Sequence, residues 1–363
     1  MNYGVVVPAV VAALGLGTVV GGGAYKAAEV ESHLAPQIAQ LKEKSKGKLE
    51  VEYGSVSAPI YSSEITLSDV VFKVKKDAEA APVSVFVDNI SVEGDYVSAF
   101  ENKTLPNDIE LTVNGLLLTK DNWSVISGKS EKRSARQWES VFGTELSEIK
   151  GGFEIASHKE ANGHSGSMGL SVNSIGGSKL AWKVSGLPES VDKNTNIFAL
   201  LAMLSKVKLH HLSVEASNDG FIDKRLSEIA TEKEMTLSDL KKEGKTEIAS
   251  SLDYATSSMV KKLNMSEDDA SKVLNKEVIL SLIDDFKDIS FAVSYEPGFS
   301  FEDSNKLSKI NSYNSSRRAE GFEFLTTMLK DVEFEVKANG SDVVDVDIAK
   351  RTIRDMSQKL QEK

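Results

Sequence analysis

One spacing recurs four times and limits what this chain can fold into. Ile65-Thr66-Leu67, two polar residues, then Val70-Val71-Phe72 is the first instance. Val85-Phe86-Val87 and Ile90-Ser91-Val92 flank Asp88-Asn89; Leu111-Thr112-Val113 and Leu116-Leu117-Leu118 flank Asn114-Gly115; Val207-Lys208-Leu209 and Leu212-Ser213-Val214 flank His210-His211. In a strand, residues two apart share a face. Two spacers break that parity, so a straight strand would turn its second half outward. A bulged residue restores one apolar face and bends the strand; a tight turn is the alternative, most natural at Asn114-Gly115. Repeated bends predict a curled, mostly antiparallel sheet with an apolar concave face.

Other strands have the simple period of two. Leu49, Val51 and Tyr53 alternate with Glu50 and Glu52, and Ile289-Ser290-Phe291-Ala292-Val293-Ser294-Tyr295 alternates until Pro297-Gly298. Phe153 to Ile155, Ser167 to Val172, Leu180 to Val184 and Val332 to Val336 read the same way. Between them, Ser134 to Phe142 and Asn196 to Leu204 are short helix candidates. From Phe221 to Lys287 the period changes to that of helices. There Ser238 is a candidate cap, and Ser266-Glu267-Asp268-Asp269 reads as an N-cap followed by acids. Asp303 to Arg318 reads as a polar surface loop, Phe322 to Leu329 as a helix or a lead-in strand, and Asp347 to Lys363 as a surface helix.

The amino terminus has a different character. Met1 to Tyr25 contains no charged side chain, and its apolar run is long enough to cross a bilayer core of roughly 30 Å. A cleaved signal peptide is the rival reading, but no Lys or Arg precedes the run. Gly17 and Gly21 form a small-xxx-small pair suited to close packing against another membrane helix. Beyond it, Ala27, Val30, Leu34, Ile38 and Leu41 share one helix face, interrupted by Pro36, and read as a stalk. The domain plan is an anchor over 1–25, a stalk over 26–48, a β-rich domain over 49–220, a helical segment over 221–288, further strands over 289–345 and a helix over 346–363. The fold class is therefore α+β, with a transmembrane helix ahead of a curled sheet packed by helices.

Composition excludes some functions. With no cysteine, disulfides, thiol catalysis and thiolate metal sites are ruled out. A net charge of −11 argues against nucleic acid as a partner. Lys26, Lys42, Lys44, Lys46 and Lys48 follow the apolar run, which by the positive-inside rule favours a cytoplasmic domain, although large domains are exported regardless. Charge leaves the side open.

Several features of the first seventy-odd residues resemble the YdgA-like family of bacterial envelope proteins, itself related in style to AsmA-like proteins. They are the uncharged amino terminus, Val30 to Ile38, Leu49 to Tyr53 and Ile60-Tyr61-Ser62-Ser63-Glu64-Ile65-Thr66-Leu67. Asp219 to Arg225 resembles a strand-to-helix junction of the same family. The chain lacks the glycine usual before the aromatic step. The resemblance implies a single-pass protein of the bacterial inner membrane with its large domain in the periplasm. It implies no catalytic residues.

Chemistry is otherwise sparse. His158 and His164 lie in a Gly-rich polar stretch, and His210-His211 occupy a spacer, where a bend explains them better than ligation. Neither a nucleophile elbow nor a phosphate loop is present. Asp268-Asp269 and Asp284-Asp285 read as solvated helix faces, and Arg317-Arg318 and Lys350-Arg351 as ordinary surface. The expectation is a non-enzymatic protein without cofactor or metal. It would bind the lipid bilayer and, through Gly17 and Gly21, a membrane-protein partner, acting by lipid handling in an apolar groove or by scaffolding a complex. A hydrolase built on His158, His164 or an acid pair is the rival.

Overall fold

The computed structural model describes residues 27–59, 64–76, 80–94, 107–127, 129–187, 203, 205–263 and 265–361. These residues form two compact units, the first built mainly from residues up to 159 with 166–173, the second from the rest. The elements of the first are α1 (Ala27–Lys44), β1 (Leu49–Glu52), β2 (Ser55–Ser57), β3 (Glu64–Val74), β4 (Val83–Gly94), β5 (Asp108–Thr119), α2 (Lys120–Ile126), α3 (Glu131–Phe142), β6 (Glu148–Glu160) and most of β7 (Gly163–Val172). Strands neighbour one another in sequence order, with β1 and β2 both on β3.

The spacer motifs do what parity demands, but together rather than singly. In β3, Ile65 and Leu67 are buried before the break and Val70, Phe72 and Val74 after it; β4 buries Val85, Val87, Ile90 and Val92. The register does not slip between them. Ser68 faces Asn89 and Val70 faces Val87, so Asp69 and Asp88 lie in the same transverse row. Asn89 in turn faces Asn114 and donates no register shift to β5; the Asn114 amide bonds the Asn89 side-chain oxygen at 3.1 Å. Asp69 (φ 54°) and Gly115 (φ 69°) take left-handed backbone conformations, which reset the face of the following residues. Between β5 and β6 the register does shift, where Asn114-Gly115 pass Gly152.

This alignment corrects the expected curl. A bulge bends a sheet when one strand gains a residue over its neighbour. Here three adjacent strands break parity in one row, so their lengths stay matched and the antiparallel sheet is open. No pairing joins the described strand at one end of the unit to that at the other.

The expected apolar groove is also filled. Val30 and Leu34 of α1 are fully buried in one core with Leu49, Phe72, Ile90 and Val113, and Ile38 and Leu41 pack against it. The helix continues through Pro36, whose missing N–H costs one backbone bond. Each such side chain contributes about 1.5–3 kcal/mol through burial. Instead of standing off as a stalk, α1 is a layer of the fold. A smaller cluster flanks it. Trp138 is buried, donates its indole N–H to the Leu146 carbonyl at 2.6 Å, and packs on Phe142 with ring centroids 4.7 Å apart.

The second unit contains β8 (Gly176–Ser185), β9 (Lys208–Asn218), α4 (Phe221–Glu232), α5 (Leu237–Leu263), α6 (Glu267–Val273), α7 (Lys276–Asp284), β10 (Asp288–Ser300), α8 (Phe301–Ser308), α9 (Ser315–Met328), β11 (Val332–Ala338), β12 (Ser341–Asp342) and α10 (Val346–Gln361). The strands again pair in sequence order and antiparallel. Register places Leu180, Val214, Phe291 and Val336 in one row and Trp182, Leu212, Val293 and Phe334 in the next. The opposite face carries Lys179, Glu215, Ser290 and Lys337. Met265, Ala270, Val273 and Ile348 form a second, smaller core that ties α6 to α10.

Two local expectations are revised here. Strand β10 does not stop at Pro297-Gly298 but passes through it as a bulge and resumes at Phe299, opposite Leu209. The stretch from Asp303 to Arg318 is not a loop but α8, a 3-10 turn and the start of α9. Its polar sequence hid a cap. Ser300 Oγ accepts the Asp303 N–H at 3.2 Å, and the Asp303 carboxylate accepts the Ser300 N–H at 2.9 Å and hydroxyl at 2.7 Å. Burial pushes the Asp303 carboxyl upward, but the bonds from Ser300 and the Lys306 ammonium outweigh it, so its pKa lies below the ordinary value. Because the folded pKa is depressed, the contribution to stability is present above the unfolded value, about pH 3.9, and is lost as pH falls through the folded one. We expect Ser300→Ala to cost about 1 kcal/mol at neutral pH. As pH falls below the unfolded value, the gap from wild type in urea midpoint should narrow as Asp303 protonates.

The anchor expected over 1–25, with Gly17 and Gly21, lies outside the described residues, as does the helix expected over 196–204 apart from Met203. Among the described residues, no helix is long and apolar enough to cross a membrane. The fold class is accordingly α+β with open antiparallel sheet, and the transmembrane helix is not retained as part of it.

Candidate functional site

The residues singled out for chemistry do not converge. His158 Nδ1 lies 3.0 Å from Asp108 Oδ1, a pair exposed where β5 meets β6. His164 is in β7, half-buried. His210 is the bulged residue of β9, the point where the register against β8 shifts by one. Its Nδ1 reaches the Glu296 carbonyl at 2.8 Å, so that nitrogen donates, while Nε2 and the Ser185 hydroxyl are 2.7 Å apart. His211 Nδ1 is 2.8 Å from Ser294 Oγ. Both histidines serve the bulge. The acid pairs are committed to ion pairs: Asp268 to Lys272, Asp269 to Arg351, Asp284 to Lys245 and Asp285 to Lys287. The hydrolase assembled from these groups has no shared site, and among the described residues no three His, Asp or Glu gather as metal ligands would.

The second unit holds a groove that sequence reasoning missed. It has a volume of about 1030 Å³ and runs along β11 and the segment that follows β12, between α7 and the start of α10. Local pairing builds it. The Asn339-Gly340 turn returns the chain from β11 to β12, with both residues at positive φ. Past β12, the Val343 N–H bonds the Val336 carbonyl at 2.8 Å. Val344 then bridges Leu274, closed by Asn275 N–H to Val343 O at 2.8 Å and Asp345 N–H to Val273 O at 3.0 Å. Asn275 caps α7 through the Val278 N–H, and Asp345 caps α10 through the Ile348 N–H. Two helix starts are thereby fixed on either side of one strand edge.

Its lining divides by burial. Leu274, Leu280, Phe334, Val336, Val344 and Val346 are half-buried. Glu277, Glu335, Asp342, Asp345 and Asp347 are exposed around them. The two lysines in the lining are engaged, Lys272 with Asp268 at 2.5 Å and Lys276 with Asp253 at 2.6 Å. Glu335 pairs with Lys337, whose ammonium is held above its ordinary pKa by Glu335 first and by Asp342 further off. Among the described residues, Glu277, Asp342 and Asp347 make no ion pair. The only legible signal was the alternation of Asp342, Asp345 and Asp347 with Val343, Val344 and Val346, which in sequence reads as an ordinary strand end.

No family model matches the chain, and no curated protein matches it in sequence. The likeness of its first seventy residues to YdgA-like proteins is therefore not a family match. With no membrane-crossing helix among the described residues, the inferences that rested on it fall as well. These are the bacterial inner-membrane location with a periplasmic domain, the bilayer and membrane-protein partners, and the membrane-anchored lipid-handling or scaffolding role. Physically, the apolar face meant to hold acyl chains is occupied by α1.

Proposed function

We propose that this chain acts by binding rather than by catalysis, and that the groove beside β11 takes a ligand with an apolar body and a cationic group. The carrying observation is the lining itself, with aliphatic and aromatic side chains half-buried and unpaired carboxylates exposed around them. Such a surface gains from apolar burial and repels anions. The hydroxyl in the lining, that of Ser271, donates within its own helix to the Asp268 carbonyl at 2.7 Å and is not set against a base. A basic amphipathic peptide, with leucines on one side and lysines on the other, is the ligand class that fits best.

The test is calorimetric titration of the purified chain with such a peptide. Binding in the micromolar range is expected, with the Glu277→Gln, Asp342→Asn, Asp347→Asn variant weaker by roughly tenfold. A peptide with glutamates in place of its lysines should not bind. Equal affinity for the neutralised variant would remove the groove from consideration.

A further inference from the structure

A second surface, independent of the groove, carries the opposite charge. Lys42 and Lys44 end α1, Lys46 and Lys48 occupy the turn into β1, and the register of β1 on β3 brings Lys73, Lys75 and Lys76 beside them. The Lys75 N–H bonds the Lys48 carbonyl at 2.8 Å, and Lys48 Nζ reaches the Lys76 carbonyl at 3.4 Å. Seven lysines thus share one end of the first unit with Glu43, Glu50 and Glu52, in a chain of net charge −11. Lys42 pairs with Glu50 at 2.7 Å and Lys73 with Glu52. The Glu50 carboxyl is held below its ordinary pKa by Lys42 first and then by Lys73 and Lys75, which shows that their fields converge. Lys44, Lys46 and Lys75 make no ion pair among the described residues.

Folding does not require this concentration. Lys42 and Lys44 complement the negative end of α1, but the other five lysines have no helix end to serve. We propose that this end of the first unit is a docking surface for an acidic segment of a partner protein. The chemistry favours carboxylates over the other polyanions. The cluster is lysine throughout, with no arginine for bidentate phosphate or base contacts and no exposed aromatic ring in 42–52 or 71–76 on which a nucleobase could stack. The turn offers no phosphate cradle either. Its N–H groups are used internally, Ser45 to Leu41 O, Lys46 to Glu43 O, Gly47 to Lys42 O and Lys48 to Ser45 O. What remains is a cluster of ammonium groups at one end of the unit, of which Lys44, Lys46 and Lys75 make no ion pair among the described residues, suited to an acidic chain.

The experiment uses the full chain and a fluorescent peptide of about a dozen glutamate and aspartate residues, followed by anisotropy. Saturable binding is expected, weakening roughly tenfold between about 0.05 and 0.3 M salt. Lys44→Glu, Lys46→Glu, Lys75→Glu together should weaken it at least about tenfold. The groove variant neutralised at Glu277, Asp342 and Asp347 should bind as wild type does. Circular dichroism should be unchanged in the charge-reversed variant, and the urea midpoint should fall only slightly, since Lys44 and Lys46 are exposed, Lys75 is half-buried and Lys44 alone faces the negative end of α1. Unchanged affinity after charge reversal would overturn the proposal. So would tighter binding of a single-stranded oligonucleotide or of anionic vesicles than of the acidic peptide.

Discussion

Leu34→Ala should destabilise the first unit by about 2–5 kcal/mol, the range for emptying a closed core site. Leu34 has no exposed surface and shares its core with strands from β1 to β5. A helix standing off as a stalk would lose only a few tenths of a kcal/mol on the same change. Urea unfolding followed by the fluorescence of Trp123 and Trp138, with Trp182 replaced by Phe in both proteins, isolates the first unit. Leu41→Ala, at a position packed against the core from outside, should cost less than Leu34→Ala. Equal and negligible shifts for both would mean that α1 is not a layer of this fold.

Gly298→Val should cost the second unit about 3 kcal/mol. Gly298 has φ 76°, where a β-branched residue pays roughly 1–2 kcal/mol. A β-carbon there would also sit 2.6 Å from the His210 ring and 2.7 Å from Lys208 Cβ, and relief of such overpacking costs about 1–3 kcal/mol. The bulge cannot yield easily, because His210 is held on both ring nitrogens and Lys208 Nζ reaches the Pro297 carbonyl at 3.2 Å. His210→Ala in the Gly298→Val background should recover part of the loss by removing the ring. A thermal or urea midpoint unaffected by Gly298→Val would show that the bulge relaxes freely.

Much of the local structure was legible because its causes are local. Alternation at Leu49 to Tyr53 and at Ile289 to Tyr295 identified strands, and the two-residue spacers identified where faces switch. Ser266 was read as a cap and accepts the Asp269 N–H at 3.0 Å. The expected cap Ser238 is instead Thr236, which accepts the Asp239 N–H at 3.1 Å, two positions earlier and equally suited by type. The polar run from Asp303 failed for a different reason. Its helix is fixed by a capping box and ion pairs such as Lys306 to Glu302, none of which leaves an apolar period.

From the sequence alone followed the class of most segments, though not of 303–318, and the points where strands switch face, since φ/ψ preference and side-chain parity act over a few residues. Tertiary structure alone decided that the parity breaks of β3, β4 and β5 fall in one row, that α1 fills the apolar face, and that Leu274 meets Val344 beside β11. The physical reason is that register and long-range closure depend on which strand lies beside which. A bend that would curl one strand leaves a sheet open when its neighbours bend at the same place, and that match is a property of the assembled ladder.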